Sequence, residues 1–223
     1  MNSRPWLHVA ILATTVSVLS LASGLTAPGP AGSAPWFLLV QGTLSELLNS
    51  GTVWAGLGLV AGFLVAGPGR GRGVGVERGR ADGAAASTRT HGVWQWVWPA
   101  VAASCASIWA LAAHYALGNA LGVMTPEIWG LNASWFVLAL VAGGPLGIIG
   151  AAGRLPGPKG LAARLVLPLG AIAEPLVTGM LGPARTPMWA ASATSLAGLI
   201  LFVSGLFLAA LMLGRARRGA RVL

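Results

Sequence analysis

The sequence is short of charge. Only 9% of its 223 residues are charged, against about 25% in an ordinary soluble domain, so too few side chains could cover a water-facing surface. Acids are the scarcest: five Asp+Glu stand against fourteen Lys+Arg, for a net charge of +9. A single cysteine, Cys105, excludes a disulfide scaffold. With 55% hydrophobic residues and a mean hydropathy of +0.75, a soluble enzyme and a disordered tail are excluded as well. Lysine is nearly missing, since every basic residue except Lys159 is Arg. Those arginines fall in short clusters between apolar runs and not along one polar face, which argues against a nucleic-acid partner.

Catalytic signatures are missing too. There is no HExxH, no Cys/His metal spacing, no Walker A, no GxSxG and no dinucleotide fingerprint followed by a ribose-binding acid. The glycines of GPGRGRGVGVERG follow an apolar span and read as linker. A haem would need inward-facing histidines on neighbouring spans, and an intramembrane aspartyl protease would need paired Asp, whereas the one Asp is Asp82 in a loop. No enzyme activity, metal or cofactor is expected.

What is present is apolar length. Crossing roughly 30 Å of hydrocarbon takes about 20 helical residues, and six stretches qualify: 6–26, 48–67, 94–118, 133–153, 161–182 and 189–213. The first also has the look of a signal peptide, with Arg4 before an apolar run, but no clean A-x-A site follows and a retained span is expected. Segment 36–47 is too short to span and, after the Pro/Gly-rich 27–35, reads as an external interfacial or re-entrant helix. The expected fold is an all-α, polytopic six-helix membrane bundle, one domain over 1–223, with a flexible loop at 68–92.

Sorting Lys/Arg by connection orients it. Arg4; Arg70, Arg72, Arg78, Arg80 and Arg89; Arg154, Lys159 and Arg164; and Arg215, Arg217, Arg218 and Arg221 all fall on one side, and only Arg185 on the other. Both termini are therefore expected in the cytoplasm, with the chain multi-pass in the plasma membrane. The same arginines suit anionic lipid headgroups. Trp94, Trp96 and Trp98 mark the inner interface, and Trp36, Trp129, Trp135 and Trp189 the outer one.

Ionisable groups at membrane depth are costly, about 2.5–3.5 kcal/mol each on insertion scales, and so are functional candidates. Glu174 is the foremost, near the midplane and between Pro168 and Pro175, where freed carbonyls could gather polar groups. It can serve as a cation or proton partner, or as a packing clamp. Glu46, Asn49 and Ser50 are spaced for one helix face; with Trp54, His114, Tyr115 and Trp135 they map, like Glu174, to the outer half. Asn119, Glu127 and Asn132 there, and His8 near the inner interface, read as solvated. Gly58/Gly62, Gly118/Gly122 and Gly143/Gly147 have the small-xxx-small spacing of close helix packing. Gly143-Gly144-Pro145 is expected to break or kink its span. Trp54-x-x-Leu57-x-Leu59-Val60-Ala61-Gly62 recurs 81 residues on as Trp135-x-x-Leu138-x-Leu140-Val141-Ala142-Gly143, as a parallel repeat of hairpins or by coincidence of composition; Glu46 and Glu127 share the offset.

At Asn49-Ser50 with Trp54, at Trp135 to Gly150 and at the lone Glu174, the chain resembles an uncharacterised family of actinobacterial integral membrane proteins, a domain of unknown function. The resemblance implies a six-span fold and no particular activity. A looser, architectural similarity is to the substrate-binding subunits of energy-coupling-factor vitamin transporters. It would make 27–47 a lid, line a pocket with Glu46, Asn49, Trp54, His114, Trp135 and Glu174, and turn Ala10 and Ala13 toward a coupling subunit. Two functions follow: binding or transport of a small polar solute or ion from outside, or a non-catalytic scaffold docking a membrane partner or a second copy through Gly-rich faces.

Overall fold

The computed structural model describes residues 4–25, 35–66, 88–182 and 188–220, all helix and turn. The elements are α1 (Arg4–Leu25), α2 (Pro35–Leu48), α3 (Gly51–Val65), α4 (Thr88–Ala120), α5 (Ile128–Leu131), α6 (Ala133–Ala152), α7 (Gly157–Val177) and α8 (Met188–Ala220). Five of them contain segments long and apolar enough to cross a membrane: α1, α4, α6, α7 and α8. These match five expected spans closely. Helix α4 starts earlier than its apolar run because backbone hydrogen bonds define a helix, and apolarity marks only the part that suits hydrocarbon. The expected loop 68–92 lies outside the described residues, apart from its last five, which begin α4.

The second expected span, 48–67, is corrected. Fifteen-residue α3 is only about 22 Å long, and α2 joins it across Asn49–Ser50 with a 46° bend, so the two form one broken span or a re-entrant pair. Helix α2 is not a free interfacial helix: it packs on α8 and α1, with Leu47 against Met180, Ala197 and Leu201. Asn49, Ser50 and Gly51, poor helix formers, sit where the two helices part.

Helix directions follow from the contacts. Trp6 meets Trp98 at 6.4 Å, Trp109 Nε1 donates to Thr14 Oγ1 at 3.0 Å and Ser17 Oγ donates to the Ala110 carbonyl at 2.7 Å, so α1 and α4 run parallel. Helices α3 and α6 are parallel to each other, with Gly58 on Leu146 and Gly62 on Gly147, and α6 is antiparallel to α4, with Gly143 on Ser104 and Gly147 on Pro99. Helix α7 runs against α3, and α8 against α7, with Gly205 on Pro168 and Gly198 on Pro175. The core between α1, α3 and α4 is mostly alanine: Ala13, Ala61, Ala103, Ala106 and Ala110, with Val9 and Leu57. Lipid is as apolar as leucine, so such helices gain from close van der Waals approach and interhelical hydrogen bonds more than from apolar burial.

Glycine sets the closest approaches. A Cβ on Gly62 would strike the Gly147 backbone, one on Gly147 the Pro99 carbonyl, and one on Gly150 the Leu59 carbonyl; one on Gly143 would stand 2.6 Å from Ser104 Cα. The third glycine pair acts differently. Gly118 accepts from the amides of Val123 and Met124, and Gly122 takes φ +69, so these two form the turn that ends α4. Helix α6 runs unbroken through Gly143-Gly144-Pro145, so of the expected break or kink the break is excluded. Gly143 and Gly147 seat it against α4, while Gly144 faces open space and Pro145 is exposed. Pro168 and Pro175 are fully buried inside an equally continuous α7.

Candidate functional site

The start of α3 lies level with Ser20 near the end of α1 and with Glu174 near the end of α7, so Glu174 stands one turn from the end of its helix and not at its middle. A helix leaves its first N–H groups without intrahelical partners, and in hydrocarbon each unpaired one costs several kcal/mol. All four are satisfied here. Glu174 accepts from the amides of Gly51 (2.6 Å) and Thr52 (2.7 Å) and from Thr52 Oγ1 (2.5 Å). Ser50, the N-cap, accepts from the Val53 amide through its side chain, and its own amide donates to the Leu47 carbonyl at 3.2 Å. At the other end, Arg154 Nε donates to the Phe63 carbonyl at 2.5 Å, and its guanidinium lies 4.0 Å from the centre of the Phe63 ring. Desolvation pushes the Arg154 pKa down from its ordinary value, but a guanidinium keeps its charge in proteins. Helix α3 thus has a carboxylate at its positive end and a cation at its negative end.

Beside this clamp lies a cavity of about 480 Å³, within the range of small-molecule sites. Its walls come from three helix stripes at i, i+3, i+4 and i+7 spacing: Gly51, Trp54 and Ala55 of α3; Ser107, Leu111, His114 and Tyr115 of α4; Trp135, Leu138, Ala139, Ala142, Gly143 and Leu146 of α6. Asn49 at the bend completes the lining. The cavity ends where Gly143, Gly147 and Gly150 bring the three helices into backbone contact. His114 and Tyr115 pack edge to face, and Tyr115 continues into a cluster with Trp129 and Phe136. The Nδ1 of His114 is buried without a hydrogen-bond partner.

Five expected site residues therefore meet in one cleft: Asn49, Trp54, His114, Tyr115 and Trp135. Three do not line it. Ser50 is buried and spent on capping. Glu174 stands behind the wall formed by Gly51, its oxygens occupied by donors of α3. Glu46 is exposed on α2 and accepts from Thr194 of α8 at 3.3 Å. The bend at Asn49–Ser50 removes the single face expected for Glu46, Asn49 and Ser50. Ala13 is fully buried against α4 and faces no partner, while Ala10 is exposed. The lid expected at 27–47 falls partly outside the described residues, and its α2 portion lines no part of the cleft.

The surrounding polar residues tie loops. Asn49 accepts from Ser20 Oγ at 2.8 Å and donates to the Ser45 carbonyl. Asn119, with its amide oxygen toward Trp129 Nε1 at 2.8 Å, donates to the carbonyls of Met124 and Thr125. Asn132 donates to the Ile128 carbonyl. A Thr125 hydrogen bond holds the exposed Glu127 carboxyl below its usual range. His8 is exposed on α1. Among the described residues no group of three or more His, Cys, Asp or Glu could hold a metal ion.

Comparison with known proteins adds nothing to this geometry. No protein-family model, curated protein or solved structure matches the chain.

Sequence reasoning missed Gly51 and Thr52 as clamp donors, Arg154 as the opposing cap, and the α4 and α6 stripes. The run Asn49-Ser50-Gly51-Thr52 carried the signal for the first, because an N-cap residue amid turn formers marks a helix start. Nothing local to Arg154 announces Phe63 as its partner.

Proposed function

We propose that the protein is a multi-pass plasma-membrane protein, both termini cytoplasmic, that binds a small uncharged molecule in the α3/α4/α6 cleft as a component of a transport system. The single observation that carries this reading is the convergence of Asn49, Trp54, His114, Tyr115 and Trp135 on one cavity. The alternating helix directions support six spans, with α2 and α3 together as the broken second one. Arg154, Lys159, Arg164 and the Arg215–Arg218 cluster lie at the end of the bundle opposite the cleft, so the positive-inside rule turns the cleft outward.

The lining contains no Asp, Glu, Lys or Arg, which favours a neutral ligand over an ion. Glu174 then acts as the packing clamp. Catalysis is not favoured, because Ser107 and His114 lie two turns apart on α4, roughly 10 Å along its axis, beyond nucleophile–base contact. The scaffold alternative loses its stated surface, since Gly62, Gly143, Gly147 and Gly150 are consumed inside the bundle. The resemblance to the actinobacterial family is kept as a proposal about origin.

The test is a thermal-shift screen of the purified protein against neutral aromatic, aliphatic and vitamin-like compounds, beside Ala139→Phe, which fills the cleft. At least one compound is expected to raise the wild-type Tm by several degrees and leave the variant unmoved. Equal shifts in both proteins, or none in either, would sink the cleft as a binding site.

A further inference from the structure

The cleft has a direction and an entrance. Every lining residue belongs to α3, α4, α6 or the Asn49 bend. Helices α3 and α6 come closest at the deep end of the cavity and beyond it, where Gly58 meets Leu146 and Gly62 meets Gly147. Above that level the cavity separates them, and no described residue of α1, α2, α5, α7 or α8 lines the gap opposite α4. Trp135 and Leu138 flank this gap and are 54% and 50% exposed. Leu138 belongs to a segment long and apolar enough to span a membrane, and in a bilayer its exposed side chain would face acyl chains.

Polarity is graded along the cleft. Asn49, Trp54, His114, Tyr115 and Trp135, all able to hydrogen-bond, gather at the end where α3 and α6 begin and α4 finishes. Leu111, Ala142, Gly143 and Leu146 line the deeper part, with buried Ser107 its one polar residue. From Trp135 to Leu146 the stripe covers about 16 Å of helix axis, half of a hydrocarbon core roughly 30 Å thick and so the depth of one leaflet.

We propose that the cleft takes a neutral single-chain amphiphile sideways from the surrounding leaflet, its head among the polar residues at the mouth and its chain along α6. The proposal rests on the binding role above and names its ligand class. A charged head is disfavoured because no charged residue lines the mouth. A two-chain lipid is disfavoured because one stripe, closed off below by glycine contacts, offers room for one chain.

The test uses the full chain in phosphatidylcholine vesicles containing a few per cent of a monoacylglycerol with a diazirine in its acyl chain. After irradiation, adducts are mapped by mass spectrometry. Adducts on the α6 peptide around Leu138–Leu146 and on α4 near Leu111 are expected at several-fold the level on the exposed α8 residues Val203 and Phe207. They are competed by unlabelled monoolein, and both Ala139→Phe and the milder Ala142→Leu remove them. A diazirine-bearing phosphatidylcholine labels cleft and α8 alike. If the monoacylglycerol also labels the two faces equally, or the two-chain probe is enriched in the cleft, the amphiphile proposal is wrong. A water-soluble diazirine-bearing indole separates the two failures: if it alone labels the cleft, binding stands without the lipid route, and if neither probe is enriched there, both readings fall.

Discussion

The two ends of the α3/α4/α6 unit are built from the same kinds of helix and do opposite things. At one end Gly62, Gly143, Gly147 and Gly150 present no side chain of their own, and backbone approaches backbone. At the other, Trp54, Leu138, His114 and Tyr115 hold the same three helices apart around 480 Å³ of space. Side-chain size alone separates a sealed end from an open one. In a medium where apolar burial gains little, the sealed end supplies the packing that lets the open end stay open.

That contrast can be broken at four places. Gly147→Leu should do most damage, since its side chain would enter the Pro99 carbonyl; overpacking of this kind costs about 3 kcal/mol or more. Loss of folded protein from the membrane is expected, and normal accumulation would mean that the helices are not in backbone contact. Glu174→Gln comes next. It keeps one acceptor but turns an amide NH₂ toward donors of α3, for a loss of about 2 kcal/mol. A lower Tm with cleft labelling retained is expected; unchanged Tm with abolished labelling would instead make Glu174 a ligand group. Arg154→Met removes a C-terminal cap and a cation–π contact, worth about 1 kcal/mol together, and a Tm drop smaller than that of Glu174→Gln should be measured. Ala142→Leu, in the open end, should move Tm least, because the added atoms enter existing space. A large drop there would show that the cleft is packed shut.

Much of this was legible in the sequence because hydrocarbon imposes coarse rules. Five apolar runs each fell on one helix, with ends up to seven residues apart, and the charge count agrees with the relative helix directions. Trp54 and Trp135, linked by the repeated motif, occur on parallel neighbours and line the same cavity; Glu46 and Glu127, at the same offset, share no site. What failed were readings that treated helices as uninterrupted. The face expected for Glu46, Asn49 and Ser50 vanished because four turn-forming residues outweighed the apolarity on either side. Of the break or kink expected at Gly143-Gly144-Pro145 the break did not form, and Gly143 there serves contact with α4. Which of the two roles weighed for Glu174 holds was not readable, since its partners lie more than 120 residues away and two of the three are backbone amides, which every sequence has.

The capping of α3 at both ends has a geometric corollary. Glu174 holds position 51 and Arg154 holds position 63, and the intervening α7 is a stiff rod. The pair works as a gauge: it admits an α3 of one length, about 18 Å between the held residues, and no other. Inserting or deleting a full turn between Trp54 and Leu59 would keep composition and helical phase almost unchanged, yet pull one end of the helix away from its charge. The tolerance of this helix to length change, as distinct from its tolerance to substitution, is therefore set by its neighbour.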